Sequence, residues 1–193
     1  MQKSTASLWL KNVDLDNNAK IRIERNRSQA RLKAGQTIKN KVKARQHELS
    51  VFANKMVSEL NILNDIRLCK LLCSFLYWGE GNKTGYRIGF TNSDPDMIRT
   101  FIRLFRQSFI LNESKFRALI HIHEYHNESE IKNYWSRITN IPISQFTKSY
   151  LKPHTGKNIR LGYKGTLRIT YSDTRIVDEL KAVYNELAKS LGL

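Results

Sequence analysis

Three features of this 193-residue chain predict an α+β protein, with helices packed on a mainly antiparallel sheet behind a basic helical arm. A strand, a polar cap and an amphipathic helix follow one another three times after residue 80. One helix-length run, IRLCKLLCSFLYWG, is apolar or small at nearly every position and has to be enclosed. Ahead of it, residues 20–45 carry ten basic side chains against the single acid Glu24.

Taken in order, residues 1–13 place Ala6, Trp9, Leu10 and Val13 on one face of a short helix that Ser4 can cap. Residues 14–65 form an arm or linker rich in helix formers, with one interruption at Gly35 and no aromatic residue through Val51. Helix is expected there at least when the arm is bound; the alternative is a solvated linker. The globular domain is expected over 66–193, opening with a helix over 66–79. Next comes a strand over 87–92, then Asp94 as cap with Pro95 in the first turn, and Ile98, Phe101, Ile102, Phe105 and Phe109 on one face. FRALIHIHEYHNESEIKNYW repeats the plan with Asn127 as cap and Glu130 three residues on. TLRITYSDTRIVDELKAVYNELA does so again, with Asp173 as cap and Ile176, Leu180, Val183 and Leu187 facing inward. The stretch between these last two units reads as strand, long turn, strand.

Charge selects the partner. Thirty-three Lys and Arg against 17 Asp and Glu leave a formal charge of +16, which points to a polyanion and first to nucleic acid. No apolar run reaches the roughly 18 residues of a spanning helix, so no membrane partner is expected, and the expected location is the cytoplasm. Cys69 and Cys73 stand four apart within one helix, a poor geometry for a disulfide, and read as reduced thiols.

Candidate chemistry starts at Glu80, an acid at the carboxyl end of an apolar helix, where the helix dipole opposes it by roughly 0.3–1 kcal/mol. A Mg²⁺ ion held by that carboxylate together with water and phosphate oxygens would reverse the sign; a solvated helix-end acid is the alternative. On one strand face, His121 and His123 can begin a transition-metal site, with His126 or His154 as a third ligand. A late basic ribbon of Lys148, Lys152, His154, Lys157, Arg160, Lys164 and Arg168, interleaved with Tyr150 and Tyr163, suits a DNA groove. Lys39, Lys41, Lys43 and Arg45 are the arm's backbone-contact candidates. Arg99, Arg103 and Arg106 read as the wet face of their helix.

The segment LCSFLYWGEG resembles the signature helix of the LAGLIDADG homing endonucleases, an apolar helix with small residues on one side that ends in an acid and a glycine. The resemblance implies that Cys73 and Ser74 lie at a helix–helix contact between subunits, that Glu80 is the metal-binding catalytic acid, and that a strand saddle sits in the major groove. It covers about ten residues and one copy of a degenerate motif, so a family-like site implies a homodimer. Two departures stand out: a single strand where the family has a hairpin, and no basic catalytic partner assignable by motif. Residues 3–13, KSTASLWLKNV, are similar to the recognition helix of a helix-turn-helix, which makes Lys3, Ser4, Thr5 and Ser7 further DNA-contact candidates. The expected function is double-stranded DNA binding by a homodimer, with Mg²⁺-dependent site-specific cleavage. The alternative is a non-cleaving transcriptional regulator or mobile-element accessory protein. RNA binding follows from charge alone, without an aromatic RNA-binding strand signature to raise it.

Overall fold

The computed structural model describes residues 14–153 and 162–192. The helix expected over residues 1–13, with Lys3, Ser4, Thr5 and Ser7, lies outside them, as do His154, Lys157 and Arg160. The chain divides between Leu60 and Asn61 into two units.

The described part of the first unit is one helix, α1 (Asn17–Glu59). The Asp16 carboxylate caps it by accepting from the Ala19 N–H at 2.6 Å. Gly35 does not break it, in keeping with a penalty of about 1 kcal/mol spread over many good helix formers. None of its residues is buried.

The second unit is a layered α+β domain. Helix α2 (Ile66–Glu80) starts at Asp65, whose carboxylate accepts from the backbone N–H groups of Leu68 and Arg67; these bonds hold it below the usual carboxylate range. Strand β1 (Ile88–Asn92) leads through the Asp94 cap and Pro95 into α3 (Pro95–Ser108). Strand β2 (Phe116–His123) is followed by α4 (Glu128–Thr139), capped by Asn127. Short β3 (Tyr150–Lys152) and then β4 (Thr166–Tyr171) precede α5 (Thr174–Ser190). Asp173 occupies the cap position of α5 without a side-chain cap bond; its carboxylate instead lies 3.6 Å from the Lys115 ammonium.

The sheet order is β1-β4-β2-β3, with β4 antiparallel to both β1 and β2, and β3 parallel to β2 at the edge. The two-stranded ribbon expected from residues 148–168 is therefore not formed, because β2 lies between β3 and β4. Burial explains the order. Leu167, Ile169 and Tyr171 of β4 require cover along their whole length, whereas Tyr150 and Leu151 of β3 are more than half exposed and suit an edge.

Alternation divides the sheet into two faces. Ile88, Phe90, Phe116, Ala118, Ile120, Ile122 and the three β4 residues point to the core under the helices. Phe90 stacks on Phe101 of α3 with centroids 3.9 Å apart, and Phe105 meets Phe116 and Tyr171 edge-on. Trp135 of α4 is buried, its indole N–H donating to the Lys164 carbonyl at 2.8 Å. Arg106 departs from the expected wet face. Its guanidinium donates twice to Glu113, at 2.9 and 2.7 Å, and once to the Thr139 carbonyl at 2.6 Å, tying α3 to the end of α4.

Candidate nucleic-acid interface

Strand register brings Arg117, Lys152 and Arg168 together on the sheet face turned away from the helices. Thr170 pairs with Gly89 on one side and Arg117 on the other; Arg168 pairs with Thr91 and Leu119; His121 pairs with Thr166 and Tyr150; His123 pairs with Lys152. Paired residues share a face, so Arg117, Arg168, Lys152 and both imidazoles stand on one surface with threonine hydroxyls between them. A trough of about 570 Å³ runs along it, lined among others by Asn82, Thr84, Arg87, Arg117, Thr147, Arg168 and Thr170. Arg117 is steadied by donating to the carbonyls of Ser114 and Phe116, at 2.6 and 2.7 Å, while its side chain stays exposed.

Two glycines let neighbouring backbone approach this face. At Gly165, with φ +72°, an added Cβ would lie 2.6 Å from the His121 carbonyl oxygen. Gly81 bridges to Phe90 of β1, and an added Cβ there would collide with the Tyr77 ring and carbonyl. The Asn82 N–H then donates to the Gly89 carbonyl at 2.8 Å. The end of α2 is thereby fastened to the rim of the trough.

Glu80, on the last turn of α2, is exposed, and its carboxylate makes no hydrogen bond or ion pair among the described residues. The negative helix end beside it is answered from within the chain. Lys83, three residues on, donates from its ammonium to the carbonyls of Tyr77 and Gly81, each at 3.1 Å, and to that of Trp78. Sequence reasoning missed this residue because a cation beyond a helix end signals a cap only when the following chain turns back. As a Mg²⁺ ligand set, a single open carboxylate fits one corner of an ion that otherwise keeps waters and phosphate oxygens. No group of three metal-ligating side chains occurs among the described residues.

Of the expected histidine ligands, His121, His123 and His126 are described and His154 lies outside the described residues. His121 and His123 share the open face as alternation predicts, but the His121 ring lies 5.3 Å from that of Tyr150, beside Lys152 and Arg168. Burial first, and then those two positive charges, push its proton affinity down. The candidate third ligand, His126, has Nδ1 3.0 Å from the His123 backbone nitrogen and Nε2 3.1 Å from the Tyr163 carbonyl oxygen. Both His126 nitrogens thus lie within hydrogen-bond distance of backbone atoms.

Cys73 and Ser74 are corrected as well. Both are fully buried inside the domain, with burial raising the Cys73 thiol to about 12 and the Ser74 hydroxyl donating to the Lys70 carbonyl at 2.7 Å. Cys69, Cys73 and Tyr77 recur every fourth residue, so the small side chains serve the packing of α2 against α3 and α5. The open side of α2 carries Leu71, Phe75 and Gly79, with Phe75 56% exposed and nothing within 4 Å of where a Gly79 Cβ would sit.

The remaining candidates scatter. Lys148 is exposed ahead of β3 and is a minor contributor, after Lys132 and Ser149, to the lowered acidity range of Glu128. Lys164 lies over the Tyr134 ring of α4 at 6.0 Å. On α1, Lys39 and Lys43 fall on one side and Lys41 and Arg45 on the opposite side, since two residues advance a helix by about 200°. No candidate for membrane crossing exists among the described helices. Comparison with protein-family models, curated proteins and solved structures yields no match to this chain.

Proposed function

We propose that this is a double-stranded DNA-binding protein that lays the open sheet face along the major groove. The observation that carries the reading is the convergence of Arg117, Arg168 and Lys152 on one uncovered face, with hydroxyls and the His121 and Tyr150 rings between them. Cations of this kind bind phosphates, and the shorter polar groups among them reach base edges. Cleavage in the LAGLIDADG-like arrangement needs a homodimer with two copies of Glu80 side by side, and the exposed Leu71, Phe75 and Gly79 side of α2 is the surface that would bring them together.

In the cleaving form, Glu80 of each copy supplies the carboxylate for Mg²⁺, which provides Lewis-acid activation of water and phosphate when bound. Lys83 holds the turn that presents Glu80, and Arg117 and Arg168 hold the flanking phosphates. Two adjacent carboxylates without such a cation would repel, and one would take a proton. The second reading, a non-cleaving regulator or accessory protein, is favoured by Lys83. With the helix end already neutralised, Glu80 has no need of a metal.

Incubation of a DNA library with Mg²⁺ and either wild type or Glu80→Gln separates the two. Metal-dependent cuts that vanish in the variant establish the enzyme; tight binding by both proteins with no cuts assigns the regulator. Absence of DNA binding by either would remove both readings.

A further inference from the structure

We infer that the carboxyl-terminal half of α1 is a self-pairing seam whose occupant is a second copy of this chain, aligned antiparallel. The helix has 43 residues, about 65 Å at 1.5 Å per residue, and buries none of them. Helices that stand alone in water are laced with ion pairs, yet among the described residues α1 holds one, Arg27 to Glu24 at 4.0 Å. Part of its apolar surface is patterned instead, with Val51 and Val57 lying off the stripe. Val42, Leu49, Phe52, Met56 and Leu60, each 48–65% exposed, advance by 7, 3, 4 and 4 residues and form a stripe narrow enough for one partner helix.

Charge names the partner. Residues 46–60 hold Lys55 against Glu48 and Glu59, a net of −1, whereas residues 20–45 hold ten cations against one acid, a net of +9. Two seams therefore meet without repulsion, while two basic halves side by side do not, and a polyanion is drawn to the basic half. Along one edge of the stripe, Lys41, Glu48 and Lys55 alternate in sign at seven-residue steps. An antiparallel pairing centred between Leu49 and Phe52 sets Leu49 of one copy against Phe52 of the other and brings Glu48 to Lys55 twice. The break in the stripe at Arg45 then falls by Met56 and Glu59 of the other copy. This alignment also sends the two basic halves out in opposite directions. A parallel pairing would place Glu48 across from Ala53 and hold the basic halves together, losing the charge pairs and adding repulsion.

The seam is argued from α1 alone and does not depend on the DNA-binding reading. Sedimentation equilibrium on the full chain tests it, with Leu49→Lys/Met56→Lys, Glu48→Lys, Glu48→Lys/Lys55→Glu, and Phe75→Lys on the exposed side of α2. The double lysine variant is expected to raise the dissociation constant for self-association by roughly a hundredfold. Glu48→Lys weakens association and the charge swap restores it. A wild type that stays monomeric at tens of micromolar, a lysine variant that associates like wild type, or a swap that fails to restore association overturns the inference. If Phe75→Lys alone abolishes association, the contact belongs to α2 and the seam is likewise overturned. DNA binding measured on the same samples reports separately on the sheet face.

Discussion

The arm and strand β2 both space polar or basic residues two apart, β2 with Leu119 interrupting the series, and with opposite results. On β2, Arg117, Leu119, His121 and His123 share one surface because a strand repeats every two residues, and Arg168 of β4 joins them through register. On α1, Lys39, Lys41, Lys43 and Arg45 split into two opposed pairs because a helix repeats every 3.6. One linear spacing thus makes a one-sided surface in the domain and two opposed basic sides on the arm helix. Support differs too. The domain's cations rest on a buried core, and α1 buries nothing.

The sharpest way to break this comparison is to attack the core. Phe101→Ala removes the ring stacked on Phe90 and is expected to cost about 3–5 kcal/mol in urea melts of the domain. A comparable loss from Leu49→Ala in monomeric protein would mean that α1 shares that core. Gly165→Ala comes next, since it forces a side chain into a left-handed position against the His121 carbonyl. Its expected cost is about 1–3 kcal/mol, and unchanged stability would show that this approach to β2 is loose.

DNA affinity sharpens the contrast between the two spacings. Arg117→Ala/Arg168→Ala is expected to reduce the slope of log affinity against log salt by about 1.8, two phosphates at about 0.9 each. On the arm, one of the pairs Lys39→Gln/Lys43→Gln and Lys41→Gln/Arg45→Gln should lower the slope and the other leave it nearly unchanged. Equal effects from both pairs would mean that DNA surrounds the helix.

The smallest expected effect is one of pH. His121 binds its proton less readily in the folded protein than at its ordinary value of 6.5, so the unfolded chain takes up more protons and stability falls as pH drops below about 6.5. His121→Gln should flatten that decline in melts, and an identical decline in the variant would assign it to other groups.

Helix starts were legible because their signals are local. Asp94 with Pro95, and Asn127, lie within a turn of the backbone they cap, and Ile98, Phe101, Ile102 and Phe105 follow from period alone. Asp173 shows the limit of such reading, since its carboxylate turns to Lys115, far off in the chain. The candidate site was legible in part. Arg168 and Lys152 were expected on a strand pair that does not form, the shared face of His121 and His123 followed from alternation, and Arg117, on β2 beside β4, carried no signal in its own segment.

Charge, the positions of the caps and the periodicity of each segment were carried by the order of residues, because they depend on atoms a few positions apart. Strand order and the burial of Cys73 and Ser74 against neighbouring helices were decided by tertiary packing. Each depends on which distant apolar surfaces cover one another. The physical reason is that hydrophobic burial is non-directional, so an apolar helix such as α2 specifies that it must be covered without specifying which side remains open.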